Sequence, residues 1–96
     1  MAWRVNYHPK VHNDFLEIGK AEAITIKRVI DQRIGNGEPD KLGKPLLGEL
    51  RNYRRLRTGQ MRIIYRVNKG LIEVLIIAVG LRRDDEVYEK AVSRLD

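Results

Sequence analysis

The side chains with the clearest chemical potential in this sequence are arginines that crowd into its middle. No acidic residue occurs between Glu49 and Glu73, whereas the same interval holds Arg51, Arg54, Arg55, Arg57, Arg62, Arg66 and Lys69. A guanidinium group stays charged and donates two parallel hydrogen bonds, which suits the oxygens of a phosphate. Together with a net charge of +6, this cluster favours an anionic partner: nucleic acid, an acidic protein or a membrane surface.

Other reactive groups are scarce. The chain has no cysteine, which excludes disulfides and thiolate metal sites, and its only serine is Ser93, which argues against a serine triad. His8 and His12 are spaced to share one face of a helix, but no H-E-x-x-H motif and no third ligand accompany them. We therefore expect no metal and interpret the pair as helix surface, with proton transfer as the alternative.

A β-hairpin is predicted to position the arginines. A two-residue turn at Thr58-Gly59 would place Leu56 opposite Met61 and Arg55 opposite Arg62. One face then carries the apolar side chains of Leu56, Met61, Ile63, Tyr65 and Val67, and the other carries Arg55, Arg57, Arg62 and Arg66. Arg54 falls on the apolar face, so its head group must reach an edge of the sheet. Like charges across a strand pair are unfavourable, which indicates a surface that meets a polyanion.

The N-terminal half predicts a strand followed by two helices. Apolar and polar residues alternate over residues 2–7, as in a strand with one buried face. Val11, Phe15 and Ile18 then form the stripe of a short helix that ends at Gly19. A second helix over Lys20–Ile34 has Ala23, Ile26, Ile30 and Ile34 at helical spacing. The Gly- and Pro-rich residues 35–48 are predicted to be a loop.

The C-terminal half predicts three strands and a last helix. The strands cover Glu49–Arg57, Gln60–Val67 and Leu71–Val79, and the third is apolar enough to be central or covered on both faces. Gly80 would end it, and Asp84-Asp85 would cap a helix with a stripe of Val87, Ala91, Val92 and Leu95. The order β-α-α-β-β-β-α predicts an α+β fold. It is a small, twisted, mainly antiparallel sheet with an N-terminal helical hairpin on one face and a short C-terminal helix.

Length and hydropathy set the remaining limits. With 96 residues, the chain is predicted to be one domain, residues 1–96. The N-terminus is too polar for a signal peptide, and no apolar run approaches the roughly 18–20 residues of a membrane span. These features predict a cytoplasmic protein with no membrane partner.

Three motifs resemble the RelE/ParE superfamily of bacterial toxins. They are Tyr53-x-x-Leu-Arg57-x-Gly59-x-x-Arg62-x-x-Tyr65, Val79-Gly80-Leu81-Arg82-Arg83 and Glu86-Val87-Tyr88. The resemblance spans essentially the whole chain, and its second half looks like the RelE branch. It implies the toxin of a type II toxin–antitoxin system, a ribosome-dependent endonuclease that cuts mRNA in the decoding site. Such toxins need no metal or cofactor, and a cognate antitoxin neutralises them.

The resemblance also implies roles for single residues. Arg62 and Arg82 match arginines that stabilise the phosphoryl charge, and Tyr88 matches the tyrosine that stacks on an mRNA base. The residues assigned to RNA and phosphate binding are Arg54, Arg55, Arg57, Arg66 and Arg83. Members of the family usually have two lysines where this chain reads Arg54-Arg55-x-Arg57, and some have a histidine where Leu81 stands. These departures leave the general base open, because arginine in practice does not lose its proton.

Two alternatives share the fold. A ParE-like toxin would inhibit DNA gyrase by protein contact and would make no use of Tyr88. A non-catalytic member of the superfamily would bind nucleic acid with an affinity that falls steeply with salt, but would cut nothing.

Overall fold

A five-stranded sheet with helices on both faces forms the fold, and the computed structural model describes residues 2–81 and 85–95. The elements are β1 (Arg4–Tyr7), α1 (Val11–Ile18), α2 (Lys20–Val29), a π-helical turn (Ile30–Gly35), β2 (Lys44–Pro45), a 3-10 turn (Gly48–Leu50), β3 (Tyr53–Thr58), β4 (Met61–Asn68), β5 (Glu73–Leu81) and α3 (Glu86–Ser93). The predicted α+β class and order of elements are confirmed, with one additional short strand, β2.

The strand order in the sheet is β1-β5-β4-β3-β2. The β1–β5 pair is parallel, and the other three pairs are antiparallel. One face packs against α1 and α2 through a cluster that includes Val11, Phe15, Ile26 and Ile30. The other face packs against α3, mainly through Val87 and Ala91. The prediction that the apolar last strand is covered on both faces is therefore correct.

The β3–β4 hairpin turns at Gly59-Gln60, one residue later than predicted. The observed pairs are Thr58–Met61, Arg57–Arg62 and Leu56–Ile63, and they replace the predicted pairs Leu56–Met61 and Arg55–Arg62. Gly59 has φ +57°, and a type II′ turn places glycine at this first turn position. Because the pairing changes by two residues, each side chain keeps its predicted face. Leu56, Met61, Ile63 and Tyr65 lie buried in the core with α1 and α2.

Other boundaries also differ from the prediction, and two of them bear on the site. The second predicted strand starts at Glu49, but extended structure begins only at Tyr53, because a 3-10 turn covers Gly48–Leu50 and Asn52 has a positive φ. Gly80 does not end the last strand, which continues to Leu81. A glycine is accommodated inside this strand because α3 packs closely against it.

β5 contains an extra residue. Ile64 pairs with Ala78 and Tyr65 pairs with Ile76, so Ile77 has no partner in β4. This bulge turns both Ile77 and Ala78 toward α3, whereas Ile76 and Val79 pack on the opposite face. The side chains of β5 that face α1 and α2 are therefore even-numbered before the bulge and odd-numbered after it.

Among residues 2–81 and 85–95, no helix has the length and apolar character needed to cross a bilayer.

Candidate phosphate-binding site

An arginine pair on adjacent strands begins the site. Arg57 of β3 lies directly opposite Arg62 of β4, and both belong to the face of the sheet that α3 partly covers. Two like charges opposite each other destabilise a sheet by roughly 0.2–1 kcal/mol. The sequence thus places two cations where folding alone would favour an opposite or neutral pair.

Tyr88 joins this pair to a third arginine. Arg55 Nη1 donates a hydrogen bond of 2.9 Å to the Tyr88 hydroxyl, and the Arg62 guanidinium carbon lies 5.0 Å from the centre of the Tyr88 ring. The second contact is a cation–π arrangement. A half-buried tyrosine on the first turn of α3 therefore touches guanidinium groups from both strands of the hairpin. We call Arg55, Arg57, Arg62 and Tyr88 the arginine–tyrosine cluster.

Gly80 permits this approach of α3. It lies opposite Arg62 in the sheet, and a Cβ at this position would stand 3.2 Å from the Cβ of Val87. Such a contact is tighter than ordinary van der Waals packing, so a larger residue would push the start of α3 away from the sheet. The absence of a side chain at Gly80 helps to bring the neighbouring Tyr88 over Arg62.

In the part of the chain that the structure describes, no acid balances the charges of Arg55 and Arg57. Neither side chain forms an ion pair with a carboxylate in the described part of the chain, where the carboxylates of the salt bridges engage Arg4, Lys41, Lys69, Lys90 and Arg94. The Arg55 Nε–H is buried and has no hydrogen-bond partner within residues 2–81 and 85–95. A buried donor left without a partner costs about 1–3 kcal/mol.

Arg54 does not join this cluster. Its Nε donates to the carbonyl oxygen of Leu42 at 2.8 Å, and its Nη2 donates to that of Gly43 at 3.4 Å. The Tyr65 hydroxyl lies 2.9 Å from the carbonyl oxygens of both Pro39 and Leu42 and can donate its single proton to either. Burial raises the pKa of Tyr65, although the Arg54 charge lowers it in part. Arg54 therefore reaches an edge, as its place on the apolar face requires, and its contacts hold the loop.

Arg66 also lies apart from the cluster. It packs over the Tyr53 ring at 5.7 Å and lines a groove of about 440 Å³ that also contains Arg51 and Arg94. Between Arg62 and Arg66 on β4, Ile64 is buried beneath α3. The basic face predicted from the sequence is therefore divided by the last helix.

Several predicted residues stand elsewhere. Arg82, Arg83 and Asp84 lie outside the described residues. His8 Nδ1 accepts a hydrogen bond from the Lys10 amide, and both His8 and His12 line a separate groove with Tyr7 and Phe15. No group of three or more potential metal ligands occurs within residues 2–81 and 85–95.

Sequence reasoning missed one polar cluster altogether. Asp14 is a polar residue on the otherwise apolar face of α1, and Arg94 follows the end of α3. The two form a buried ion pair. A carboxylate three residues after Val11 and one before Phe15, on the stripe predicted to face the core, was the available signal.

A comparison with protein families identifies the chain's relatives. The model of the ParE toxin of the type II toxin–antitoxin system parDE matches residues 5–86. The chain belongs to this toxin family, within the RelE/ParE superfamily, which confirms the resemblance found in the sequence. No curated protein sequence matches the chain.

Solved structures with the same fold bear the RelE name. A chain of the toxin–antitoxin complex RelBE2 from Mycobacterium tuberculosis matches with a TM-score of 0.78 and 23% identity, over 85% of this chain and 100% of that one. A mutant of the E. coli toxin RelE in the free state gives a TM-score of 0.74 and 22% identity, covering 100% of both chains. A chain of the archaeal RelE–RelB complex from Pyrococcus horikoshii gives 0.59 and 22%, over 86% and 98%. At these identities the likeness shows the fold.

Proposed function

We propose that this type II toxin is a ribosome-dependent mRNA endonuclease that needs no metal or cofactor. The observation that carries the proposal is the meeting of Arg55 and Arg62 at Tyr88, with Arg57 directly across the hairpin from Arg62. Guanidinium groups gathered beside one aromatic side chain, with no described carboxylate paired to Arg55 or Arg57, suit a substrate with both phosphates and bases.

The proposed reaction is attack by an RNA 2′-hydroxyl on its own 3′-phosphate. The bond from the 2′-oxygen to phosphorus forms, the bond from phosphorus to the 5′-oxygen breaks, and the proton of the 2′-hydroxyl ends on the 5′-oxygen. The products are a 2′,3′-cyclic phosphate and a 5′-hydroxyl. Because the nucleophile belongs to the substrate, the protein supplies alignment and charge stabilisation.

Each residue of the cluster takes one part of this work. Arg62 would stabilise the negative charge that builds on the phosphoryl oxygens, and the resemblance assigns Arg82 to the same task. By analogy with oxyanion donors, one oriented donor contributes about 3–4 kcal/mol to lowering the barrier. Arg55 and Arg57 would hold flanking phosphates, and Arg66 and Arg83 would add contacts to RNA. Arg54 is left out of this role because its donors serve the loop.

Tyr88 would present its ring to a base. Arg62 occupies one side of the ring at 5.0 Å, so a base would stack on the other side. The proposal includes the ribosome because the in-line geometry of attack is strained in free RNA. Bending of the mRNA in the decoding site would supply that in-line geometry. The proposed target implies action in the cytoplasm.

The direct test is to add the purified chain to programmed ribosomes and map the mRNA ends. We expect discrete cuts in the decoding site, with 2′,3′-cyclic phosphate ends, and a loss of about 10²-fold or more in Arg82→Ala. Arg28→Ala removes an exposed arginine of α2 and serves as the matched control. Unaltered cutting by Arg82→Ala and Arg62→Ala would contradict the site assignment. No cutting by the intact chain would contradict the function.

Inhibition of DNA gyrase by protein contact is the second candidate, because the family model that matches residues 5–86 describes a ParE toxin. Primer extension on mRNA from induced cells separates the two. Discrete cuts favour the nuclease. A DNA-damage response without cuts, together with inhibited supercoiling by purified gyrase, favours the second candidate.

We also propose a cognate antitoxin as partner. Two structural relatives are complexes of this kind, the toxin–antitoxin complex RelBE2 and the archaeal RelE–RelB complex. The net charge of +6 favours an acidic or amphipathic segment. Such a segment would wrap the sheet or displace α3. Displacement would separate Tyr88 from Arg55 and Arg62 and so take the cluster apart.

A further inference from the structure

A buried carboxylate joins the first and last helices. The Asp14 side chain is fully buried, and only 6% of the Arg94 side chain is exposed. Arg94 Nη1 donates to Asp14 Oδ2 at 2.7 Å, and Nη2 donates to Oδ1 at 2.8 Å. This two-pronged pairing fixes both the distance and the orientation of the two groups. We call Asp14 and Arg94 the buried clamp.

The clamp also completes the edge of β5. β1 ends at Tyr7, which pairs with Ile76, and the bulge follows at Ile77. From Ile77 onward, backbone groups of β5 form hydrogen bonds with the clamp instead of with β1. Arg94 Nη1 donates to the Ile77 carbonyl oxygen at 2.9 Å, and the Val79 amide donates to Asp14 Oδ2 at 3.0 Å. The clamp therefore ties α1, the bulge of β5 and the end of α3 to one another.

The position of α3 along the sheet depends on these directional contacts. Val87 and Ala91 pack on the sheet through small apolar side chains, and the clamp adds hydrogen bonds of fixed direction at the other end of the helix. Lys90 adds a contact of 2.7 Å to Glu17 and lies 3.6 Å from Asp14. The clamp sits just beyond the last turn, and Tyr88 sits in the first turn.

We propose that Asp14 and Arg94 are positioning residues that hold Tyr88 against Arg55 and Arg62. The clamp touches neither substrate nor the cluster, and it acts by fixing α3. The consequence for RNA cleavage rests on the proposed function. The placement of the Tyr88 hydroxyl at Arg55 does not depend on that function, and it can be measured whether or not the protein cleaves RNA.

The test replaces Arg94 with lysine, which keeps the positive charge beside Asp14 but removes the fork. The chain has four tyrosines, so 3-fluorotyrosine labelling gives four fluorine resonances. The Tyr88 resonance is assigned by its loss in Tyr88→Phe. We expect it to move and broaden in Arg94→Lys, while that of Tyr65, in the core on the other face, stays in place. The matched control is Arg4→Lys, which alters an arginine–carboxylate pair whose arginine is 72% exposed.

A second variant guards against misfolding. Asp14→Leu with Arg94→Met removes both charges, so that neither is left buried alone. We expect it to unfold cooperatively and to show the same displaced Tyr88 resonance. On programmed ribosomes, we expect Arg94→Lys to cut about tenfold more slowly than the intact chain, and Arg4→Lys to cut at the same rate.

The outcomes separate this inference from the proposed function. A Tyr88 resonance that is unmoved in both folded variants overturns the inference, whatever the cleavage assay shows. An intact chain that cuts no mRNA, combined with a displaced resonance in Arg94→Lys, contradicts the proposed function and supports the clamp.

Discussion

The two ends of α3 use arginine in opposite ways. At its C-terminal end, Arg94 lies buried against Asp14, and its guanidinium donates hydrogen bonds to that carboxylate and to a backbone carbonyl. At its N-terminal end, Arg55 meets the hydroxyl of Tyr88 and no carboxylate in residues 2–81 and 85–95. An arginine paired with a buried carboxylate has its charge neutralised and its donors occupied, whereas one that contacts a neutral phenol keeps its charge available to an anion. The comparison explains how one residue type serves both structure and the candidate site.

The largest effect should come from the buried end. Arg94→Ala leaves the Asp14 carboxylate buried without its main partner, and breaking such a pair costs about 3–5 kcal/mol. Urea denaturation should therefore show a free energy of unfolding lower by this amount. A loss below about 1 kcal/mol would mean that Lys90 or water replaces the arginine, and that the two ends differ less than their geometry indicates.

A smaller effect is expected at Tyr88. Tyr88→Ala removes the ring and should slow cleavage about 5- to 150-fold, the equivalent of the roughly 1–3 kcal/mol that base stacking contributes. Tyr88→Phe keeps the ring and loses only the acceptor of Arg55, so it should slow cleavage less than about tenfold. Single-turnover rates on programmed ribosomes measure both. Equal losses in the two variants would show that the hydroxyl, and not the ring, is the group that matters.

The smallest effect concerns the cross-strand pair. Arg57→Thr removes one of two like charges and places a residue with high strand propensity opposite Arg62. Thermal unfolding should show a gain of about 0.2–1 kcal/mol, and cleavage should fall at the same time. A variant that loses stability would show that Arg57 is held by contacts other than its pairing with Arg62.

The sequence was sufficient to predict the faces of the hairpin. Moving the turn by one residue changes the cross-strand pairing by two, and a shift of two leaves each side chain on its face. It therefore predicted which face Arg55, Arg57 and Arg62 share. It could not predict the division of that face, since the position of α3 depends on contacts between residues far apart in the chain. Asp14 and Arg94 are separated by 80 positions, and no local pattern links them. The strand β2 was missed for a similar reason: two residues carry no periodicity, and β3 supplies their pairing.

The most direct measurement of the central claim is the single-turnover rate of mRNA cleavage by Arg62→Ala on programmed ribosomes, compared with Arg28→Ala. If the arginine–tyrosine cluster stabilises the phosphoryl charge, Arg62→Ala should be slower by about 10²–10³-fold, with a free energy of unfolding close to that of the intact chain. Equal rates for Arg62→Ala, Arg28→Ala and the intact chain would contradict the account.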